Sequence, residues 1–199
     1  MTSQRSLQRA TTRRQLVDAG LRVVAEKGFA ATSTAAIALA TGKAHGTVFV
    51  HFPTRDDLVA ALVAELGRGI SERLSDSNNA TPNLPQVLDA HLAVLADNEV
   101  LYARLLGEGV TLPAAARAHI FALQAGVASR IWAAYARSRR KGTVRRIEPA
   151  TLSNIWISLT NHYLMNRDLF APGGSVIAKH GANIKAQFLA FTQLEKDSK

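Results

Sequence analysis

The sequence predicts an all-α chain of about nine helices, and three observations carry that prediction. Apolar residues recur at three- and four-residue intervals along most of its length. No alternating strand pattern, internal repeat or low-complexity segment interrupts them. Glycine, proline and Asn/Asp clusters fall between the periodic stretches, where helices must end. The 199 residues suit one large domain or two small ones, and a chain that is 47% apolar can bury a sizeable core. Cysteine is absent, which excludes disulfides, thiolate metal sites and cysteine nucleophiles and fits a reducing, cytoplasmic setting. The opening MTSQRSLQRATTRRQ is polar and basic, so neither a signal peptide nor a membrane span is expected.

Arg5, Arg9, Arg13 and Arg14 form a basic arm expected to be disordered in the free protein or to enter a minor groove. A first helix is expected from about 11 to 27, with Leu16, Ala19, Gly20, Val23 and Val24 on one buried face and Gly28 at its end. Residues 32 to 53, TSTAAIALATGKAHGTVFVHFP, then hold two short helical patterns hinged on Gly42, the outline of a helix-turn-helix. Ser33 or Thr34 can cap the first of these helices. Gly42 can take the left-handed conformation that ends it, and Pro53 closes the unit. The second helix, roughly 45 to 52, is about two turns long, too short to stand without support.

After Pro53, Thr54-Arg55-Asp56-Asp57 opens a helix running to about 75, with Leu58, Val59, Leu62, Val63, Leu66 and Ile70 inward. SDSNNATPNLP is a loop by composition. Two helices are expected over 84 to 109 with a break at Asp97-Asn98, then a long one from about 113 to 138 that runs out in the basic turn RSRRKGTVRR. Residues 149 to 168 open on Pro149 and are apolar on nearly every side, which predicts burial on both faces. A last helix spans about 175 to 194, ending on Leu194. Two apolar terminal helices joined by a short turn are what a dimer seam needs.

The net charge is +9, and residues 1 to 55 hold eight Lys or Arg against two acids, a balance of +6 that leaves +3 for the rest. Positive charge concentrated beside the helix-turn-helix points to a polyanion partner.

Thr32, Ser33, Ile37, Ala38, Gly42, Gly46, Thr47, His51 and Phe52 fall in step with a pattern of the TetR family of bacterial transcriptional repressors, which this chain resembles over residues 12 to 66. The resemblance implies a three-helix DNA-binding head over 1–53, an effector-binding and dimerisation body over 54–199, and a homodimer joined by its last two helices. Three departures stand out: Lys43 for an apolar turn residue, Ala44 for a capping serine, and Phe49 for a tyrosine whose hydroxyl meets phosphate. An alanine N-cap forfeits about 1 kcal/mol. Gly46 weakens so short a helix by roughly 1 kcal/mol against alanine, which makes sense if the helix must approach a DNA backbone closely.

The expected DNA-facing residues are Arg13, Arg14, Ser33, Thr34, Lys43, His45, Gly46, Thr47, Val48, Phe49 and His51, with Lys43 and Thr47 as phosphate anchors and His45 as a base reader. His51 has two readings, a phosphate contact or packing beneath the first helix. In the body, His91, Leu101, Tyr102, Leu105, Glu108, Phe121, Trp132, Trp156, His162 and Asn166 form a candidate effector pocket. The other reading is that these groups satisfy each other in the core or the dimer seam. No cofactor is expected; His91, Glu108 and His162 are weak metal candidates without a short ligand motif. The leading expectation is a repressor that binds a palindromic double-stranded operator and answers to a small-molecule effector. The alternatives are a non-specific DNA-binding protein and a helical-bundle enzyme. Against the enzyme stands the lack of a Glu-x-x-His pair, a glycine-rich phosphate loop or a nucleophile motif.

Overall fold

The computed structural model describes residues 4–75 and 81–193. Leu194 and part of the loop after Ser75 lie outside those residues. Among the described residues there are ten α-helices, a 3-10 turn at Gly109–Thr111, and no strand beyond one antiparallel bridge between Val144 and Gln193. No helix among them is long and apolar enough to cross a membrane. The chain divides into two compact units, Met1–Gly69 with Arg104–Phe121, and Ile70–Ala103 with Ala122–Lys199.

The first unit is built on α1 (Gln4–Lys27), α2 (Thr34–Thr41), α3 (His45–His51) and most of α4 (Arg55–Ser75). Helix α1 begins seven residues before its expected start, so Arg5 and Arg9 are helical. Its opening QRSLQRA contains neither glycine nor proline and is rich in unbranched side chains that keep their rotamer freedom in a helix. Leu16, Val17, Ala19, Val23 and Val24 are buried along one face. Gly20 lets α1 approach α4 closely, because a Cβ there would lie 2.5 Å from Leu62 Cδ2. Helix α4 starts on a complete capping box: Asp57 N–H donates to Thr54 Oγ1 at 3.0 Å and Thr54 N–H donates to Asp57 Oδ2 at 3.1 Å. Its apolar stripe from Leu58 to Ile70 is buried as the periodicity predicts.

The second unit contains α5 (Leu84–Asp97), the opening of α6 (Glu99–Glu108), most of α7 (Ala114–Arg140), α8 (Pro149–Met165), the one-turn α9 (Arg167–Phe170) and α10 (Val176–Thr192). The chain breaks between α5 and α6 at Asn98, whose side-chain amide donates to Val94 O. Helix α10 packs on both α5 and α8. At its N-terminus the buried Glu99 accepts from Ser175 Oγ at 2.6 Å and from the amides of Val176 and Ile177 at 2.9 and 3.3 Å. A carboxylate there satisfies orphan donors and meets the positive end of the helix dipole. Helix α8 departs from the expectation of burial on both faces. Leu152, Trp156, Thr160 and Leu164 are inside, whereas Ile155, Ile157 and Leu159 are not fully covered and Met165 is exposed. One chain supplies partners for a single face of this helix.

Candidate nucleic-acid interface

Local chemistry sets the helix-turn-helix. Ser33 Oγ accepts from Ala36 N–H at 3.1 Å and caps α2. Gly42, at φ 63°, ends α2, and its turn leads directly into α3. Helix α3 has no side-chain cap, since Ala44 occupies that position. Val48 and Phe52 are fully buried and hold α3 against the rest of the unit. Val48 therefore does not face outward as the sequence suggested; a two-turn helix needs an apolar anchor, and Val48 and Phe52 are four residues apart on one face. The outward positions of α3 are His45, Gly46, Phe49 and Val50, while Thr47 and His51 are half-buried at its flanks.

A charged clamp fixes the turn that leads into α2. Arg55 Nε donates to Thr32 O at 3.0 Å and its Nη2 to Phe29 O at 2.8 Å. Glu108, the last residue of α6, accepts from the amides of Phe29 and Ala30 at 3.1 and 2.8 Å. Gly28 makes this possible, having φ 81° and a bare α-carbon where a Cβ would collide with Glu108 Oε1. Charge-assisted bonds to backbone are stronger than neutral ones, so the entry to the helix-turn-helix is held from both sides.

The surface around α3 is basic. His51 has its pKa lowered by burial first and then by the charges of Arg9, Arg13 and Lys43. The Arg13 guanidinium lies over the Phe52 ring, 5.1 Å from its centroid. Lys43 lines a cleft of about 410 Å³ with Gln15, Asp18, Arg22, Ala40 and Thr41, and Arg14 shares another with Arg13, Glu65 and Arg68. His45 Nε2 and Thr34 Oγ1 are hydrogen-bonded at 3.0 Å, which ties the first residue of α3 to the first residue of α2. Gly46 has a negative φ, and a Cβ added to it would meet nothing within 4 Å. Neither backbone conformation nor packing within the chain requires glycine there. Sequence reasoning missed Val50, which the same four-residue spacing from Gly46 would have found, and missed Glu108 and Arg55 as clamp residues, for which no local signal exists.

The effector candidates are spread over both units. In the first, Leu105 is buried, Glu108 belongs to the clamp and Phe121 is exposed. In the second, Trp156 Nε1 donates to His91 Nδ1 at 3.0 Å, and both are buried. Burial lowers the His91 pKa to about 4 and raises that of Tyr102 to about 12. Leu101 and Trp132 are half-buried, and Trp132 lies 5.5 Å from Tyr135, ring centroid to centroid. His162 packs on Tyr163 and Phe170, and Asn166 Nδ2 donates to His162 O at 2.8 Å. A cavity of about 200 Å³ in this unit is lined instead by Leu74, Pro82, Val87, Ala90, Arg130 and Arg137, among others. Among the described residues no three His, Asp or Glu side chains come together as a metal would require, so the His91, Glu108 and His162 set is not assembled.

Residues 16–62 match the family model for bacterial regulatory proteins of the tetR family. An HTH-type transcriptional repressor of Mycobacterium tuberculosis is 40% identical over 81 residues, 41% of this chain and 43% of the relative. The fatty acid metabolism regulator protein of Bacillus subtilis is 30% identical over 91 residues, 44% of this chain and 47% of the relative. The matched stretch thus spans less than half the length of these relatives. Among solved structures, the regulator FadR from Bacillus subtilis in complex with stearoyl-CoA superposes with a TM-score of 0.75 at 17% identity, over 89% of this chain and 97% of that one. A transcriptional regulator from Saccharomonospora viridis in complex with choline gives 0.74 at 16%, over 92% and 95%. At such identities these two likenesses establish a shared fold.

Proposed function

Because the chain belongs to the TetR family of bacterial transcriptional regulators, we propose that it is a cytoplasmic repressor that binds a palindromic operator as a homodimer and responds to a small-molecule effector. The observation that carries this reading is α3 itself. It is pinned from within by Val48 and Phe52, turned outward along His45, Gly46, Phe49 and Val50, and has the charges of Arg9, Arg13 and Lys43 close enough to act on His51 at its end. In this reading residues 1–53 are the DNA-binding head and 54–199 the body. Arg13, Arg14, Lys43 and Thr47 take phosphates, Ser33 and Thr34 set the first helix, and His45 and Phe49 meet base edges. A bare Gly46 permits close approach.

One two-turn helix spans only a few base pairs, so useful affinity needs two heads on a two-fold axis. The uncovered apolar residues of α8, with α10 beside it, supply a surface for that pairing. An effector then releases DNA by binding more tightly to a dimer whose heads are spaced for something other than the operator. Within the second unit, the candidates Tyr102, Trp132 and His162 and the cavity beside Val87, Ala90 and Arg130 are the place to look for it. Relatives of this fold crystallised with stearoyl-CoA and with choline support a small organic ligand without choosing one.

A second reading, non-specific DNA binding, draws on the uncapped α3 and on Phe49, which lacks a hydroxyl for phosphate. Selection of duplexes from a random pool at near-physiological salt separates the two. The proposal expects an enriched palindrome carrying two chains per duplex. Salt-sensitive binding with no enriched sequence would favour the non-specific reading, and no binding at all would reject both.

A further inference from the structure

Helix α3 reads HGTVFVH and contains no Arg, Lys, Asn, Gln, Asp or Glu. Those are the side chains that pair with base edges in the major groove: Arg or Lys with guanine, Asn or Gln with adenine, Asp or Glu with cytosine. Its own hydrogen-bonding side chains are His45, Thr47 and His51. Thr47 and His51 are half-buried, and the ring of His45 is already bonded to Thr34. What α3 offers to a partner is mainly apolar, with Phe49 53% and Val50 65% exposed on consecutive positions next to the bare Gly46. A soluble chain gains nothing from an exposed aromatic beside an exposed β-branched residue, and here they stand in a basic frame of Arg9, Arg13 and Lys43. Duplex DNA satisfies both requirements at once, since its phosphates meet the cations and the thymine 5-methyl group is the apolar feature of the major groove.

Resting on the DNA-binding reading above, we propose that Phe49 and Val50 are the specificity-determining residues of this chain and that they recognise thymine by its 5-methyl group, so that each half-site is defined by thymines and not by guanines. Gly46 contributes by leaving room for the groove wall to come close to both side chains. His45 adds at most one hydrogen bond to a base, from the ring nitrogen that Thr34 does not occupy.

Deoxyuridine provides a clean probe, because it keeps every hydrogen-bonding group of thymidine and lacks only the methyl. The duplex enriched from the random pool is compared with versions in which half-site thymines are replaced one at a time by deoxyuridine, using fluorescence anisotropy at fixed salt. Loss of one buried methyl is expected to weaken binding roughly fourfold, from the transfer free energy of a methylene-sized group. Val50→Ala and Phe49→Ala, checked for native helix content by circular dichroism, are each expected to lose discrimination at the thymine their own side chain covers, and the double variant to bind thymine and deoxyuridine duplexes alike. Equal wild-type affinity for both duplexes would overturn the proposal while leaving sequence-specific binding intact. Discrimination that survives in the double variant would overturn the assignment to Phe49 and Val50. Absence of binding to any duplex would overturn the DNA-binding reading and this inference with it.

Discussion

Helices α3 and α8 pose the same physical problem and resolve it in different company. Each is apolar, each carries no Lys, Arg, Asp or Glu, and each buries one face within its own unit while leaving apolar side chains on the other. In α3, Val48 is inside and Phe49 and Val50 are outside. In α8, Leu152, Trp156, Thr160 and Leu164 are inside, while Ile155, Leu159 and Met165 are incompletely covered. The difference lies in the frame. The charges of Arg9, Arg13 and Lys43 act on the end of α3 at His51, whereas α8 itself has no Lys, Arg, Asp or Glu, and its uncovered polar residues, among them Thr151, Asn154, Ser158 and His162, are hydroxyls, an amide and an imidazole. An uncovered apolar face does not identify its own partner; the charges it carries or is set beside do. Cations beside α3 favour a polyanion, and the lack of Lys, Arg, Asp and Glu along α8 favours another apolar surface.

The largest expected effect breaks the inner face of α8. Trp156→Ala empties a fully buried site and strands the His91 ring, and should cost about 3–5 kcal/mol in urea unfolding. Next comes the partner of that tryptophan. The folded pKa of His91 is about 4 because burial disfavours its charged form, against 6.5 in the unfolded chain. The unfolded state therefore binds the extra proton first. The contribution of this group is fully present above pH 6.5 and is lost as pH falls toward 4, on the order of 3 kcal/mol in all. Unfolding midpoints recorded from pH 7 to 4.5 should show this slope, and it should be absent in His91→Phe.

Smaller effects sharpen the contrast between the outer faces. Met165→Glu places a charge on an exposed position of α8, so it should leave the fold intact and weaken self-association at least tenfold in analytical ultracentrifugation. Gly46→Ala, free of internal contacts, should stabilise the first unit by up to about 1 kcal/mol and at the same time weaken duplex binding. Ala44→Ser should give α3 the cap it lacks, adding about 1 kcal/mol or less to thermal stability.

Much of this architecture was legible in the sequence because its helices are bounded by local chemistry. Ser33, Gly42, Pro53, the Thr54 capping box and Asn98 each act within four residues, and periodicity placed Leu58 to Ile70 inward without reference to anything distant. The early start of α1 was not legible, since exposed polar residues carry no apolar stripe to mark them as helical. Val48 was misplaced because a two-turn helix offers too few residues to tell its inner face from its outer one. The clamp was invisible for a different reason. Glu108 lies 79 positions from Phe29 in the chain, and a carboxylate at a helix end reads equally well as a solvated residue. The mutual bond of His91 and Trp156 was likewise hidden, as two residues that could line a pocket can as easily satisfy one another.

The salt dependence of duplex binding, measured beside that of self-association, tests the contrast between α3 and α8 most directly. Affinity for the selected duplex should fall steeply between roughly 50 and 200 mM salt, with a log–log slope reporting several phosphate contacts, because cations frame α3. Self-association over the same range should hardly change, because α8 itself carries no Lys, Arg, Asp or Glu to be screened. A duplex affinity indifferent to salt, or a self-association that collapses with it, would contradict the assignment of these two surfaces.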